Sequence, residues 1–384
     1  MSTTPPPQVA EVATEAGLER AAKVKVERVP VSLRGLLLNR QAGMTIVALA
    51  IFVYFAATAP HFLKTGNLIE IGREMSFVAI AGVGMTYLFI VAEFDLSIGS
   101  IFSLTGVVFG WLIVNHGWSP WLAAVMSLVF AAFVGFINGG VTTMFKVPSL
   151  VVTLGMFSLA AGVALVITGE FPISLTNEPK SGLYSLIGGT VGSASSGIPA
   201  GIFWMLGIGI VGAFVLRKTR FGYNVFAAGG NVRAARAMGI RTGRVKTACF
   251  VIAAVLSGFA AIAQVSWLRN ADPISGVNFL FEVMGAVILG GIAVTGGEGS
   301  VYGTFVGAFI LAVLLDGLVL KGVSGDYNTV FEGAIIILAG IMDVTVRRQG
   351  GIRQTRVIRA LARVVPARRP PRVEEPTAPE PDTS

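Results

Sequence analysis

The sequence predicts an all-α, polytopic membrane protein with about ten transmembrane helices and both termini cytoplasmic, and three observations carry that prediction. Its residues are 54% hydrophobic and only 13% charged, with a mean hydropathy of +0.76, whereas soluble domains carry roughly one-quarter charged residues. Uncharged apolar runs recur along the chain, several of them long enough to cross the roughly 30 Å hydrocarbon layer as a helix. Basic residues, finally, gather on alternate connections, as cytoplasmic segments do.

Residues 1–42 mix Pro5, Pro6 and Pro7 with alternating charge and read as a disordered or surface-lying basic tail. No apolar core of signal-peptide length precedes the first span, so the chain is expected to keep its N-terminus. Apolar stretches follow near 43–59, 75–92, 98–114, 121–145, 150–167, 202–216, 247–266, 280–294, 301–320 and 328–344, which makes 43–346 the transmembrane domain. Strands of a barrel would be about ten residues of alternating polarity, and that pattern is not seen. Ten crossings put both termini on one side. With the termini inside, 24 of the 29 basic residues are cytoplasmic, against Lys64, Arg73, Lys180, Arg269 and Lys321 outside. The tail 347–384 is basic, then acidic and proline-rich. Within it Arg353, Arg356, Arg359 and Arg363 make 352–365 a candidate amphipathic helix on anionic lipid. The longest outside connection, 168–201, is rich in Gly, Ser and Pro and reads as a rim facing a soluble partner.

Inside the spans, Gly106 and Gly110, Gly135 and Gly139, and Gly303 and Gly307 are GxxxG pairs, expected to let helices of one bundle approach closely. Ile98-Gly99-Ser100 is echoed by Glu298-Gly299-Ser300, a hint of internal duplication. Cys249 is the only cysteine, so an internal disulfide is excluded. His61 and His116 are the only histidines and leave little material for a metal site or a general-base dyad, and no metal is expected. No GxxxxGK[ST] cradle exists in the chain, so nucleotide chemistry, if it drives the protein, belongs to another subunit. No nucleic-acid partner is expected.

The inside segment 217–246 holds eight basic residues and no acidic one. Asn231 is a good N-cap and Gly239 a good stop around Val232-Arg233-Ala234-Ala235-Arg236-Ala237-Met238, so a two-turn helix is expected there. So short a helix needs something to pack on. Two readings stay open: a topogenic loop resting on anionic headgroups, or a docking helix for a cytoplasmic partner.

Asp95 also has two readings. A span that starts near Met75 reaches the far edge of the hydrocarbon layer at about Val91, so Asp95 or Ser97 caps the next helix, or the carboxylate lines a polar passage. Asn138 is an interhelical hydrogen bonder or a pathway contact. Phe94, Asp95, Ser97, Asn138, Thr153 and Glu282 are the candidate pathway residues, in a path expected to lack any deep polar cluster. Glu282 and Glu332 fall near helix starts, where a proton relay is possible but not indicated.

Several motifs, in order, resemble one family. Ala227-Ala228-Gly229-Gly230-Asn231-Val232-Arg233-Ala234-Ala235-Arg236-Ala237-Met238-Gly239-Ile240 is similar to the cytoplasmic coupling segment of the ribose-type ABC importer permeases, which belong with the branched-chain amino-acid permeases. Asp95-Leu96-Ser97-Ile98-Gly99-Ser100 resembles that family's Asp-Leu-Ser-x-Gly-Ser element. Asn138-Gly139, Val147-Pro148 and Thr153-Leu154-Gly155 follow in order, then Leu289-Gly290-Gly291 and Gly296-Gly297-Glu298-Gly299. Glu332 departs from the pattern, where a neutral or basic residue is expected.

The resemblance implies a non-enzymatic permease subunit that moves a monosaccharide or similar polyol across a bacterial inner membrane. It implies a second permease copy, two cytoplasmic ATPase subunits that bind the ATP and magnesium, and a periplasmic sugar-binding protein; this chain itself binds no cofactor. Gly230, Asn231, Arg233, Ala234, Ala235, Arg236, Met238 and Gly239 would couple to the ATPase, with Ala234 and Ala235 filling its groove. The rival class is an ion-coupled secondary transporter using Asp95 or Glu282. A membrane-embedded enzyme lacks any catalytic constellation.

Overall fold

A computed structural model describes residues 40–192, 197–338 and 340–341. The chain divides into two units, Met1–Gly43 and Met44–Ser384, and the helical bundle belongs to the second. The tails 1–39 and 342–384, with the candidate amphipathic stretch 352–365, lie outside the described residues.

The helices run α1 (Arg40–Thr58), α2 (Thr65–Ile90), α3 (Ile98–Val114), α4 (Pro120–Met144) and α5 (Ser149–Thr168), then short α6 (Gly182–Ile187). They continue as α7 (Ala200–Lys218), α8 (Arg220–Gly230), α9 (Val232–Ala237), α10 (Thr242–Leu268), α11 (Gly276–Leu289), α12 (Val301–Leu320) and α13 (Asn328–Leu338). Among the described residues, α2, α4, α5, α7, α10 and α12 are long and apolar enough to cross a membrane, while α1, α3, α11 and α13 are shorter apolar helices. Local chemistry sets several of the ends. The Ser119 hydroxyl accepts the Leu122 N–H with Pro120 at the first helical position of α4, and Gly169 closes α5 in the left-handed region that glycine tolerates.

The glycine pairs pack the bundle. A Cβ on Gly135 or Gly139 would press on the backbone of α10 at Phe250 and Thr247, and one on Gly303 or Gly307 would meet the carbonyls of Gly290 and Ala286 in and beside α11. Backbones in close contact pack more densely than against lipid tails, and that packing is one of the forces that hold helices together in a bilayer. Polar ties add to it. The Tyr87 hydroxyl donates to the Gly212 carbonyl at 2.6 Å, Thr86 and Thr304 hydroxyls meet at 2.5 Å, and Ser257 donates to the Ile98 carbonyl at 2.7 Å, each worth roughly 0.6–2 kcal/mol in a membrane.

Three expectations need correction. α2 starts at Thr65 rather than near 75, so Arg73 is no outside-loop cation; it is buried in the helix, bonds Glu70 at 2.5 Å and lies 4.4 Å over the Trp267 ring. A hydropathy reading misses such a turn because it cannot see that its charges are paired and stacked. The basic segment 217–246 is not a loop but the end of α7, all of α8 and α9, and the start of α10. The span expected at 280–294 is α11, which ends at Leu289.

Two chain breaks interrupt the bundle, residues 91–97 between α2 and α3 and residues 290–300 between α11 and α12. They lead into the two echoed Ile/Glu-Gly-Ser elements. At the opposite end from α8 and α9, the 168–201 connection is stapled rather than open. β1 (Ile173–Ser174) pairs antiparallel with β4 (Asn270–Ala271), and β2 (Thr190–Val191) with β3 (Ile198–Pro199). Arg269 donates to the carbonyls of Leu175 and Glu178 at 2.7 and 2.8 Å and stands 3.9 Å over the Tyr184 ring. Burial raises the Tyr184 hydroxyl above its ordinary pKa, opposed by that guanidinium.

Candidate functional site

The break after α2 gathers five of the six candidate pathway residues. Val91 closes α2, Ala92 takes a left-handed φ of 60°, and the chain turns inward. Asp95 is only 1% exposed. Its Oδ1 accepts the Ser97 N–H at 2.8 Å and the Ser97 hydroxyl at 2.5 Å, and its Oδ2 faces Asn138 Nδ2 at 3.4 Å. That amide also donates to Ser97 Oγ at 2.8 Å, while Asn138 Oδ1 is buried without a partner among the described residues. The next backbone groups are tied to α5: the Leu96 N–H donates to Thr153 Oγ1 at 3.1 Å, and the Phe94 N–H to Ser149 Oγ at 3.3 Å. Phe94 is half-buried, edge-on to Phe89.

This cluster contradicts the expectation of no deep polar cluster. It also corrects the capping reading, because neither side chain caps α3: Asp95 bonds within the break, and Ser97, at the N-cap position, makes no side-chain cap bond. In this conformation the side chains of Asp95, Ser97, Asn138 and Thr153 are all buried. The arrangement cross-ties the break to α4 and α5, because a buried carboxylate must find donors where water cannot reach it.

Glu282 lies elsewhere. It sits inside α11 rather than at a helix start and lines a cavity of about 250 Å³ with Glu70, Glu74, Asp316 and Asn328. Asp316 accepts from Asn67 at 2.8 Å, and the buried Glu332 leaves its Oε2 unpartnered among the described residues. No group of three or more His, Cys, Asp or Glu side chains among the described residues is arranged to hold a metal ion.

The segment around α9 takes the expected form. Asn231 Oδ1 accepts the Ala234 N–H at 3.0 Å, and Gly239 turns the chain at φ 82°. Arg233, Ala234, Arg236, Ala237 and Met238 are exposed, Met238 by 62%. Ala235 is the exception, 1% exposed and packed inward against its own chain, so it cannot fill a partner's groove as expected; the free face is Arg233, Ala234 and Met238. Arg236 Nε donates to Thr242 Oγ1 at 3.0 Å, and Lys246 pairs with Glu93. These groups frame a polar cavity of about 270 Å³ that also meets Thr142, Lys146 and Ser149.

Lys246 and Ser149 carried no signal in the sequence, and Glu93 and Gly229, though they stand beside Asp95 and inside the coupling motif, were not singled out. An Asp-poor basic segment gave no reason to single out Lys246, and only the folded chain brings Glu93 to it. α8 did leave a trace: Phe221, Val225 and Ala228 fall at helical spacing, and the last two are buried.

Residues 67–340 match the family described as "Branched-chain amino acid transport system / permease component". The chain belongs to this family. It is 32% identical to the ribose import permease protein of Escherichia coli strain K12 over 269 residues, covering 70% of this chain and 82% of that protein. It is 33% identical to the L-arabinose ABC transporter permease of Azospirillum brasilense over 278 residues, 72% and 78% of the two chains. Identity to the autoinducer 2 import system permease of Salmonella typhi is 29% over 276 residues, 71% and 76% of the two. No solved structure matches the chain.

Proposed function

We propose that this chain is the membrane-spanning permease subunit of an ABC importer for a monosaccharide or similar polyol, in a bacterial inner membrane. The observation that carries the reading is the α8–α9 element, a capped short helix with an exposed Arg233-Ala234-Met238 face in the region that resembles the family's coupling segment. Relatives named for ribose and arabinose support the substrate class. In this reading the chain crosses the membrane ten times with both termini cytoplasmic. It pairs with a second copy, takes substrate from a periplasmic binding protein and leaves ATP and magnesium to two cytoplasmic ATPase subunits. Closure of the ATPase pair displaces α9, and the bundle switches access from outside to inside.

Reconstituted uptake tests the reading. Transport should need ATP, the ATPase and the binding protein together, and should survive a protonophore when ATP is held constant. One observation favours the rival, a cation-coupled carrier, because carboxylates facing a cavity inside a bundle are what such a carrier would use. Accumulation of sugar by the purified chain alone under a proton gradient, lost in Glu282→Gln, would establish the rival instead.

A further inference from the structure

Three stretches of backbone meet with no side chain between them where α8 ends. A Cβ on Gly229 would fall on the carbonyl oxygen of Ile90, the last residue of α2, with the Gly297 nitrogen 3.0 Å away. The same carbonyl accepts the Gly297 N–H at 2.8 Å. A Cβ on Gly297 would sit 3.0 Å from the Gly230 Cα, and Gly296 leaves no room beside Ala92. Gly296 and Gly297 both hold left-handed φ angles, 84° and 79°, which glycine adopts without strain.

Resting on the reading of α8 and α9 as the coupling segment, we infer that Gly229 is a positioning residue. Through it, displacement of that segment passes directly into the breaks after α2 and after α11. The other ties between this segment and the bundle run through side chains: Phe221 stacked on Tyr87, Val225 and the small Ala228 buried in the core, and Arg236 on Thr242. Rotatable side chains follow a moving partner by changing rotamer. Backbone on backbone cannot, since packed atoms neither compress nor interpenetrate. Five residues past Ile90 stands Asp95, and three past Gly297 the Ser300 hydroxyl caps α12 by accepting the Gly303 N–H. One push at α8 therefore reaches both breaks, which is how a small shift at one end of a bundle becomes a change of packing in its middle.

A helical glycine away from the joint supplies a control, because a Cβ on Gly207 in α7 meets nothing within 4 Å among the described residues. Alanine also favours a helix over glycine, so any loss in Gly229→Ala comes from the joint and not from α8. The probe is a cysteine at Phe94 in a Cys249→Ala chain, labelled with N-ethylmaleimide in the full permease–ATPase complex, free or trapped with ATP and vanadate. With Gly229 present, trapping should change the labelling rate by roughly five-fold or more. In Gly229→Ala the ATPase should still co-purify and still trap nucleotide, while the change at position 94 is lost; Gly207→Ala should keep it. If Gly229→Ala fails to insert, Gly297→Ala presses on the same joint from the other side and should give the same loss. A trapped Gly229→Ala or Gly297→Ala complex that still shows the change would overturn the inference, as would an unchanged rate in the parent complex. Failure of the ATPase to co-purify with the parent chain would instead overturn the coupling reading on which it rests.

Discussion

Replacing Asp95 by alanine separates a structural carboxylate from one that meets substrate. The substitution leaves the buried Ser97 N–H without its acceptor at 2.8 Å and frees the Ser97 hydroxyl from a 2.5 Å bond, while Asn138 keeps its 2.8 Å bond to Ser97 and loses only a long contact of 3.4 Å. An orphaned buried donor costs about 1–3 kcal/mol, and bonds of this kind in a membrane are worth about 0.6–2 kcal/mol. Removing a buried charge offsets part of this by sparing its desolvation, so the net loss is about 1–3 kcal/mol. Asp95→Asn keeps an acceptor for the Ser97 N–H and should cost less than half as much, through a donor facing the Asn138 amide. The assay is thermal unfolding of the detergent-solubilised chain, with uptake normalised to folded protein. The melting temperature should fall in the order parent, Asp95→Asn, Asp95→Ala, while uptake per folded chain stays the same. Unchanged melting in Asp95→Ala with uptake abolished would refute the cross-tie and make Asp95 a pathway residue.

Two further predictions follow from α9 and from the charge partition. Met238→Trp, on the exposed face, should release the ATPase on co-purification while leaving the chain's own melting unchanged; Ala235→Trp, which overfills a site inside the chain, should lower melting itself by an amount typical of overpacking, about 1–3 kcal/mol. A reporter fused after Arg220 should read cytoplasm and one at Lys180 the outside, and a periplasmic signal at Arg220 would break the ten-crossing arrangement.

Hydropathy found the apolar helices because membrane-spanning residues must be apolar whatever they pack against, and it failed where charge is neutralised by folding. The first turns of α2 carry Glu70, Arg73 and Glu74, which read as an outside loop. In the folded chain they belong to a helix in which Arg73 pairs with Glu70 and stacks on Trp267. Asn231 and Gly239 announced α9 because caps are local chemistry, written within a few residues. Which face of α9 is free was not legible: that Ala234 is exposed and Ala235 buried depends on how α9 packs on its neighbours, which lies beyond any local pattern. Residue types singled out Asp95, Ser97, Asn138 and Thr153, but not their meeting, since Asp95 and Asn138 stand 43 positions apart in the chain. Gly229 gave no signal of its own, for its role is an absence of atoms opposite a carbonyl that only the fold brings there.

The central question is whether an ATPase, rather than the lipid surface, meets the exposed face of α9. A photo-reactive residue in place of Met238, activated in cells that express the whole importer, decides this directly. The account predicts one adduct of permease and ATPase subunit, lost when the photo-reactive residue is moved to the buried Ala235. An adduct with phospholipid alone, and none with the ATPase, would contradict it and leave α8 and α9 a basic anchor on the membrane.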